Sequence, residues 1–80
     1  MDKRPSPRDG DVVVTRESRS PITFTIRQWP GDVQLSASSR DDAIRLARGF
    51  AMKNAVDLWY SEGETLRLLE AYRRTKDQAG

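Results

Sequence analysis

The chain contains neither cysteine nor histidine among its 80 residues. The absence of cysteine excludes a disulfide framework and a thiolate metal site. Without cysteine or histidine, this chain alone cannot build the nucleophile–base pairs of serine or cysteine hydrolases. A metal site would have to use oxygen ligands only, and no segment has the ligand spacing of a calcium loop. We therefore predict a protein that is not an enzyme and that holds no cofactor or metal.

Long apolar stretches are also missing. No window of the sequence approaches the run of about 18 apolar residues that a membrane-spanning helix needs. The first ten residues, MDKRPSPRDG, lack the apolar core of a secretory signal peptide. We expect a cytoplasmic protein with no membrane attachment.

The net charge of +2 is unevenly distributed along the chain. Residues 1–10 carry a net charge of +1 and residues 73–80 one of +2, whereas residues 11–72 hold eight basic and nine acidic residues. Because nucleic-acid-binding domains concentrate basic residues on the folded surface, this distribution argues against them. The composition predicts a disordered tail over 1–10, a single domain over 11–72 and a disordered basic tail over 73–80.

A helix is predicted at about residues 40–54. Ser39 suits the N-cap, because its hydroxyl can accept a hydrogen bond from a free N–H of the first turn. Asp41 and Asp42 follow, where the positive end of the helix dipole favours acidic side chains. At 100° per residue, a stripe roughly 160° wide collects the side chains that we expect to face the core. They are Ala43, Ile44, Leu46, Ala47, Phe50, Ala51 and Asn54.

Alternating apolar residues predict strands on both sides of this helix. Residues 22–28 and 33–37 alternate cleanly and flank a turn at 29–32, so we expect a β-hairpin. Residues 11–16 and 56–60 are short β-branched or aromatic runs typical of strands. Residues 65–72 fit a strand or a helix, and the Glu-Gly turn before them favours the strand. The expected fold is α+β, β-β-β-α-β-β, with one mostly antiparallel sheet covered on one face by a single helix.

The segment from residue 22 to residue 72 resembles small bacterial domains of unknown function. In those domains a β-hairpin leads into a helix, and a short strand, a glycine turn and a further strand follow. The resemblance is carried by this pattern together with Asp42-Ala43-Ile44, Ala47-Arg48 and Gly63. It implies a fold and a bacterial origin, and it implies no activity because none of these residues forms a chemical motif.

A self-associating interaction module is the function that we favour from the sequence. The run Val12-Val13-Val14 directs apolar side chains to both faces of its strand, and a second copy of the chain is a plausible cover for one face. The edge strands of an open sheet offer another route to pairing. We predict a homodimer rather than a monomer, with an unidentified protein partner as a further candidate. The candidate contact residues are Val12, Val13, Val14, Trp29, Trp59 and Tyr60.

A nucleic-acid-binding domain is the alternative. One helix covers only one face of a sheet, and an aromatic residue among arginines on the other face resembles a stacking platform for single strands. The candidate contacts are Arg16, Arg27, Trp59, Arg67, Arg73 and Arg74. Binding of this kind should weaken steeply with salt, whereas an apolar dimer should barely respond. The sequence leaves open whether this face is solvated or binds a ligand.

Overall fold

A computed structural model describes residues 6–18 and 20–72. The described residues form five strands and one helix: β1 (Val12–Glu17), β2 (Thr23–Gln28), β3 (Val33–Ala37), α1 (Arg40–Asn54), β4 (Leu58–Glu62) and β5 (Thr65–Glu70). The predicted α+β architecture is confirmed, and the segment that fitted both a strand and a helix forms a strand. Within the described residues, α1 falls short of the length and apolar character that crossing a bilayer requires.

The strands form one sheet in the order β3-β2-β1-β4-β5, which places β1 at the centre. In this described sheet the pairs β1–β2, β2–β3 and β4–β5 are antiparallel, and the pair β1–β4 is parallel. The parallel pair arises because the chain leaves β3 at one edge and must cross β2 and β1 before it begins β4. A helix commonly makes such a crossover, so α1 lies over the middle of the sheet.

The helix contacts the sheet through a row of alanines. Ala43, Ala47 and Ala51 are spaced four residues apart and are fully buried. Side chains this small let the helix backbone lie close to the sheet. The other buried members of this core are Val12, Val14, Phe24, Ile26, Val56, Leu58 and Tyr60.

The core-facing stripe is narrower than the sequence predicts. Leu46 and Phe50 are 45% and 37% exposed, and Asn54 is also exposed. The expectation that these three residues face the core is wrong, because the alanine row occupies the line of closest contact. A residue such as Leu46, rotated by about 100° from Ala47, lies beside the helix–sheet contact rather than within it.

Both ends of α1 are capped. The Oγ of Ser39 accepts a hydrogen bond from the N–H of Asp42 at 3.1 Å, which confirms the predicted N-cap. At the other end Ala55 adopts a left-handed conformation with φ 55°, and the N–H of Val56 donates to the carbonyl of Ala51 at 3.0 Å. This arrangement satisfies a free carbonyl of the last turn and directs the chain out of the helix towards β4.

Candidate interaction surface

The valine run lies inside the single chain. Val12 and Val14 belong to the core beneath the helix, and Val13 is buried on the opposite face of the sheet. Their strand is central, with β2 on one side and β4 on the other, so it offers no edge for pairing. The expectation that these three residues meet a second copy is corrected accordingly, because one chain already covers them.

Two aromatic candidates are interior residues as well. Tyr60 is buried on the helix side, and its hydroxyl donates a hydrogen bond to Glu62 at 2.8 Å. Burial raises the pKa of this hydroxyl, and the neighbouring Glu62 raises it further. Trp59 lies on the opposite face and is only 4% exposed. Neither side chain presents the accessible surface that a contact residue or a base-stacking platform needs.

A buried carboxylate holds Trp59 in place. Asp11, which is fully buried, accepts hydrogen bonds through Oδ2 from the indole Nε1 of Trp59 at 3.0 Å and from the N–H of Arg8 at 2.9 Å. Its Oδ1 accepts from the N–H of Asp57 at 3.0 Å. A carboxylate is favourable here because its two oxygens accept all three hydrogen bonds, and the N–H of the Trp59 indole would otherwise be buried without a partner. This cluster joins the entry to β1, the entry to β4 and the residues before β1.

The turn before β3 is joined to the same cluster. The N–H of Trp29 donates to the carbonyl of Asp11 at 2.6 Å, and the N–H of Gly10 donates to the carbonyl of Trp29 at 2.7 Å. The hydrogen-bonded part of the chain therefore extends back to Arg8, into the segment predicted as a tail. The side chain of Trp29 is 39% exposed, so this predicted contact residue does lie at the surface.

The candidate nucleic-acid contacts do not share one face. Arg27 lies on the sheet face away from the helix, as does Trp59. Arg16 and Arg67 lie on the helix side, because their cross-strand neighbours belong to the core beneath the helix. Arg16 also forms an ion pair with Glu62, with an N–O distance of 3.8 Å. The expected arginine surface is thus divided by the sheet. Arg73 and Arg74, in the predicted basic tail, lie outside the described residues.

Polar contacts join the helix to the β5 side of the sheet. Arg48 of α1 donates a hydrogen bond to the carboxylate of Glu70 at 2.9 Å, and the Tyr72 hydroxyl donates to the same carboxylate. The Tyr72 hydrogen bond, with help from Arg48, lowers the pKa of Glu70. The same contact raises the pKa of the Tyr72 hydroxyl. On this side the helix–sheet junction is therefore closed by a charged network.

The opposite side of the helix carries a shallow apolar groove beside β3. Leu35, Leu46, Gly49, Phe50 and Lys53 line it, and we call these five residues the β3–helix groove. Its four helical members have the spacing i, i+3, i+4 and i+7 and so form one stripe. Leu35 is 38% exposed, close to the values for its two apolar neighbours on α1. No residue in the described part of the chain buries this apolar surface.

The two edge strands, β3 and β5, differ in how well their sequences discourage pairing with another chain. The sequence of β3 is VQLSA, which has no charge and no proline, whereas β5, TLRLLE, carries Arg67 and Glu70. Charged residues on an edge strand discourage pairing with another chain, and an edge without them is open to it. The apolar β3–helix groove and the uncharged edge strand β3 therefore lie on the same side of the sheet.

Gly49 lies within α1, and among the described residues no close approach of another segment requires a glycine there. A Cβ at this position would meet no atom within 4 Å apart from the adjoining backbone of its own helix. Gly49→Ala is therefore expected to raise the free energy of unfolding by about 1 kcal/mol, since alanine has the higher helix propensity and creates no clash. Urea unfolding at low protein concentration measures this gain, and an unchanged or lower stability would contradict it.

Comparison of the chain with protein-family models, with curated proteins and with solved structures finds no match. The groove is therefore interpreted from its own geometry. Sequence reasoning misses it, because it assigns Leu46 and Phe50 to the core. The signal that points to it is the spacing of Ala43, Ala47 and Ala51, which marks the centre of the helix contact and leaves the larger residues at its side.

Proposed function

We propose that this protein is a small non-catalytic interaction module that self-associates through the β3–helix groove. The observation that carries the proposal is the coincidence of exposed apolar side chains with the uncharged edge of β3. Burial of exposed apolar surface contributes binding free energy, and the backbone groups of β3 that are unpaired among the described residues can orient the second chain through hydrogen bonds. The charged junction on the β5 side makes that side less suited to the same purpose.

The size of the groove predicts a weak dimer. Its three exposed apolar side chains offer on the order of a few hundred Å² per copy, less than the ~800 Å² per partner of a standard stable interface. Association is therefore expected at high micromolar rather than nanomolar protein concentration. Because the contact is apolar, its strength should change little with salt.

Leu46→Glu tests this proposal, with Met52→Glu as the matched control. Both wild-type residues are exposed apolar side chains of α1, but Met52 lies outside the groove. A carboxylate at position 46 would have to be desolvated in the interface, so we expect at least a tenfold weaker dimer. The same change at position 52 should leave association unchanged. Sedimentation equilibrium from micromolar to sub-millimolar protein, at two salt concentrations, measures both variants.

A wild-type chain that stays monomeric over this range would overturn the proposal. Equal dissociation constants for the Leu46→Glu and Met52→Glu dimers would also overturn it. In the first case the nucleic-acid hypothesis becomes the next to examine, by titration of a fluorescent single-stranded oligonucleotide at low and high salt. Arg27 would be the residue to replace first, since it lies on the face away from the helix.

A further inference from the structure

We infer that two copies of the chain pair antiparallel through their β3 strands, related by a two-fold axis at Leu35, and form one continuous ten-stranded sheet. This inference rests on the proposed self-association and names its geometry. The sheet order leaves the outer side of β3 without a strand partner among the described residues. Backbone N–H and C=O groups on that side can form a ladder with the same strand of a second copy.

The register follows from the sequence of β3. Leu35 is the middle of the five residues, so a two-fold axis at this position pairs the largest number of residues. Val33 then faces Ala37 of the second copy, and Gln34 faces its Ser36. No charged residue faces another, because the strand contains none. The equivalent pairing of β5 would bring Arg67 and Glu70 of each copy into the contact.

The helices would meet on one face of the joined sheet. A two-fold axis perpendicular to the sheet keeps both copies of α1 on the same side. With strands about 4.8 Å apart, a helix lying over β1 and β2 would be about 19 Å from its symmetry mate, and each helix with its side chains is about 10–12 Å wide. The remaining gap is the place of Leu35, Leu46 and Phe50 from both copies, which makes the groove a natural part of the contact.

A charge-swap experiment at Ser36 tests this geometry. Ser36 is exposed on β3, and in the inferred register the two copies of position 36 are diagonal neighbours, about 7–8 Å apart. Ser36→Lys alone and Ser36→Glu alone should each weaken the dimer by about fivefold or more, because two like charges then lie on diagonal neighbours of the same sheet face. An equimolar mixture of the two variants should recover wild-type affinity. Thr65→Lys, a matched change on the exposed edge strand β5, should leave association unaltered.

The outcomes separate the inference from the proposed function. A wild-type dimer that Leu46→Glu disrupts, but that neither Ser36 variant affects, would overturn the β3 pairing and leave the proposed function standing. Weakening by both Ser36 variants without recovery in the mixture would also overturn the two-fold register. Weakening by Thr65→Lys would move the contact to β5 and overturn the inference. A wild-type chain that does not associate would remove both the inference and the proposed function.

Discussion

Replacement of Asp11 by asparagine is expected to lower the free energy of unfolding by about 3 kcal/mol or more. The carboxylate accepts hydrogen bonds at both oxygens, from the N–H groups of Arg8, Asp57 and Trp59. Asparagine keeps one oxygen and presents an NH₂ group at the other position, where it would face an N–H donor. A buried donor without an acceptor costs about 1–3 kcal/mol, and the lost charge weakens the remaining bonds.

Urea unfolding followed by tryptophan fluorescence measures this effect, since Trp59 is itself a member of the cluster. Asp32→Asn is the matched control, because Asp32 is exposed in the turn before β3 and the chemical change is the same. We expect the control to stay within about 0.5 kcal/mol of the wild type. Equal stabilities of the two variants would show that the buried carboxylate does not hold the cluster together. Small domains have unfolding free energies of only about 5–15 kcal/mol, so the expected loss is a large share of the total.

The second large effect is expected from Ala47→Leu. Ala47 is fully buried at the centre of the alanine row, where the helix lies closest to the sheet. Three additional carbon atoms have no space there, so the helix must move away or the side chain must leave its preferred rotamer. Overpacking of this kind costs typically 1–3 kcal/mol, and we expect the upper end because Ala47 is fully buried.

Thermal unfolding by circular dichroism compares this variant with Met52→Leu, which introduces the same residue at an exposed position of α1. The control should melt close to the wild type. If Ala47→Leu unfolds at the same temperature as the control, the packing of the helix against the sheet does not depend on a small side chain at position 47. Gly49→Ala provides a second comparison. It adds one carbon atom to α1, but we expect it to raise the free energy of unfolding rather than lower it.

Local features were the easiest to predict. The sequence predicts a helix at about 40–54 and a strand at 33–37, and α1 and β3 have these bounds in the structure. Ser39 and the adjacent acids mark the start of the helix through contacts within one turn. Alternation over five to seven residues identifies a strand in the same way, since the period of two is a property of the extended backbone. Such signals are complete within a few residues and need no knowledge of the rest of the chain.

The position of each strand in the sheet required the tertiary structure. The three valines predicted a strand covered on both faces, and β1 is indeed central, but the sequence could not say that the cover comes from the same chain. Strand order depends on which distant segments pair, and periodicity carries no information on that choice. The face assigned to Arg16 and Arg67 is wrong for a related reason, because alternation shows which residues of a strand share a face but not which of the two faces the helix covers.

The amino-acid sequence is therefore enough to predict the elements and their order, and its composition excludes chemistry based on cysteine or histidine. The role of Asp11 could not be predicted in this way, because its partners Asp57 and Trp59 lie 46 and 48 residues away along the chain. The position of Leu46 and Phe50 beside a groove also depends on the tertiary structure. The helix contacts the sheet through its buried alanines, so these two larger side chains lie beside that contact. The physical reason is the same in each case: local conformation depends on near neighbours, whereas burial and partners depend on how distant segments meet.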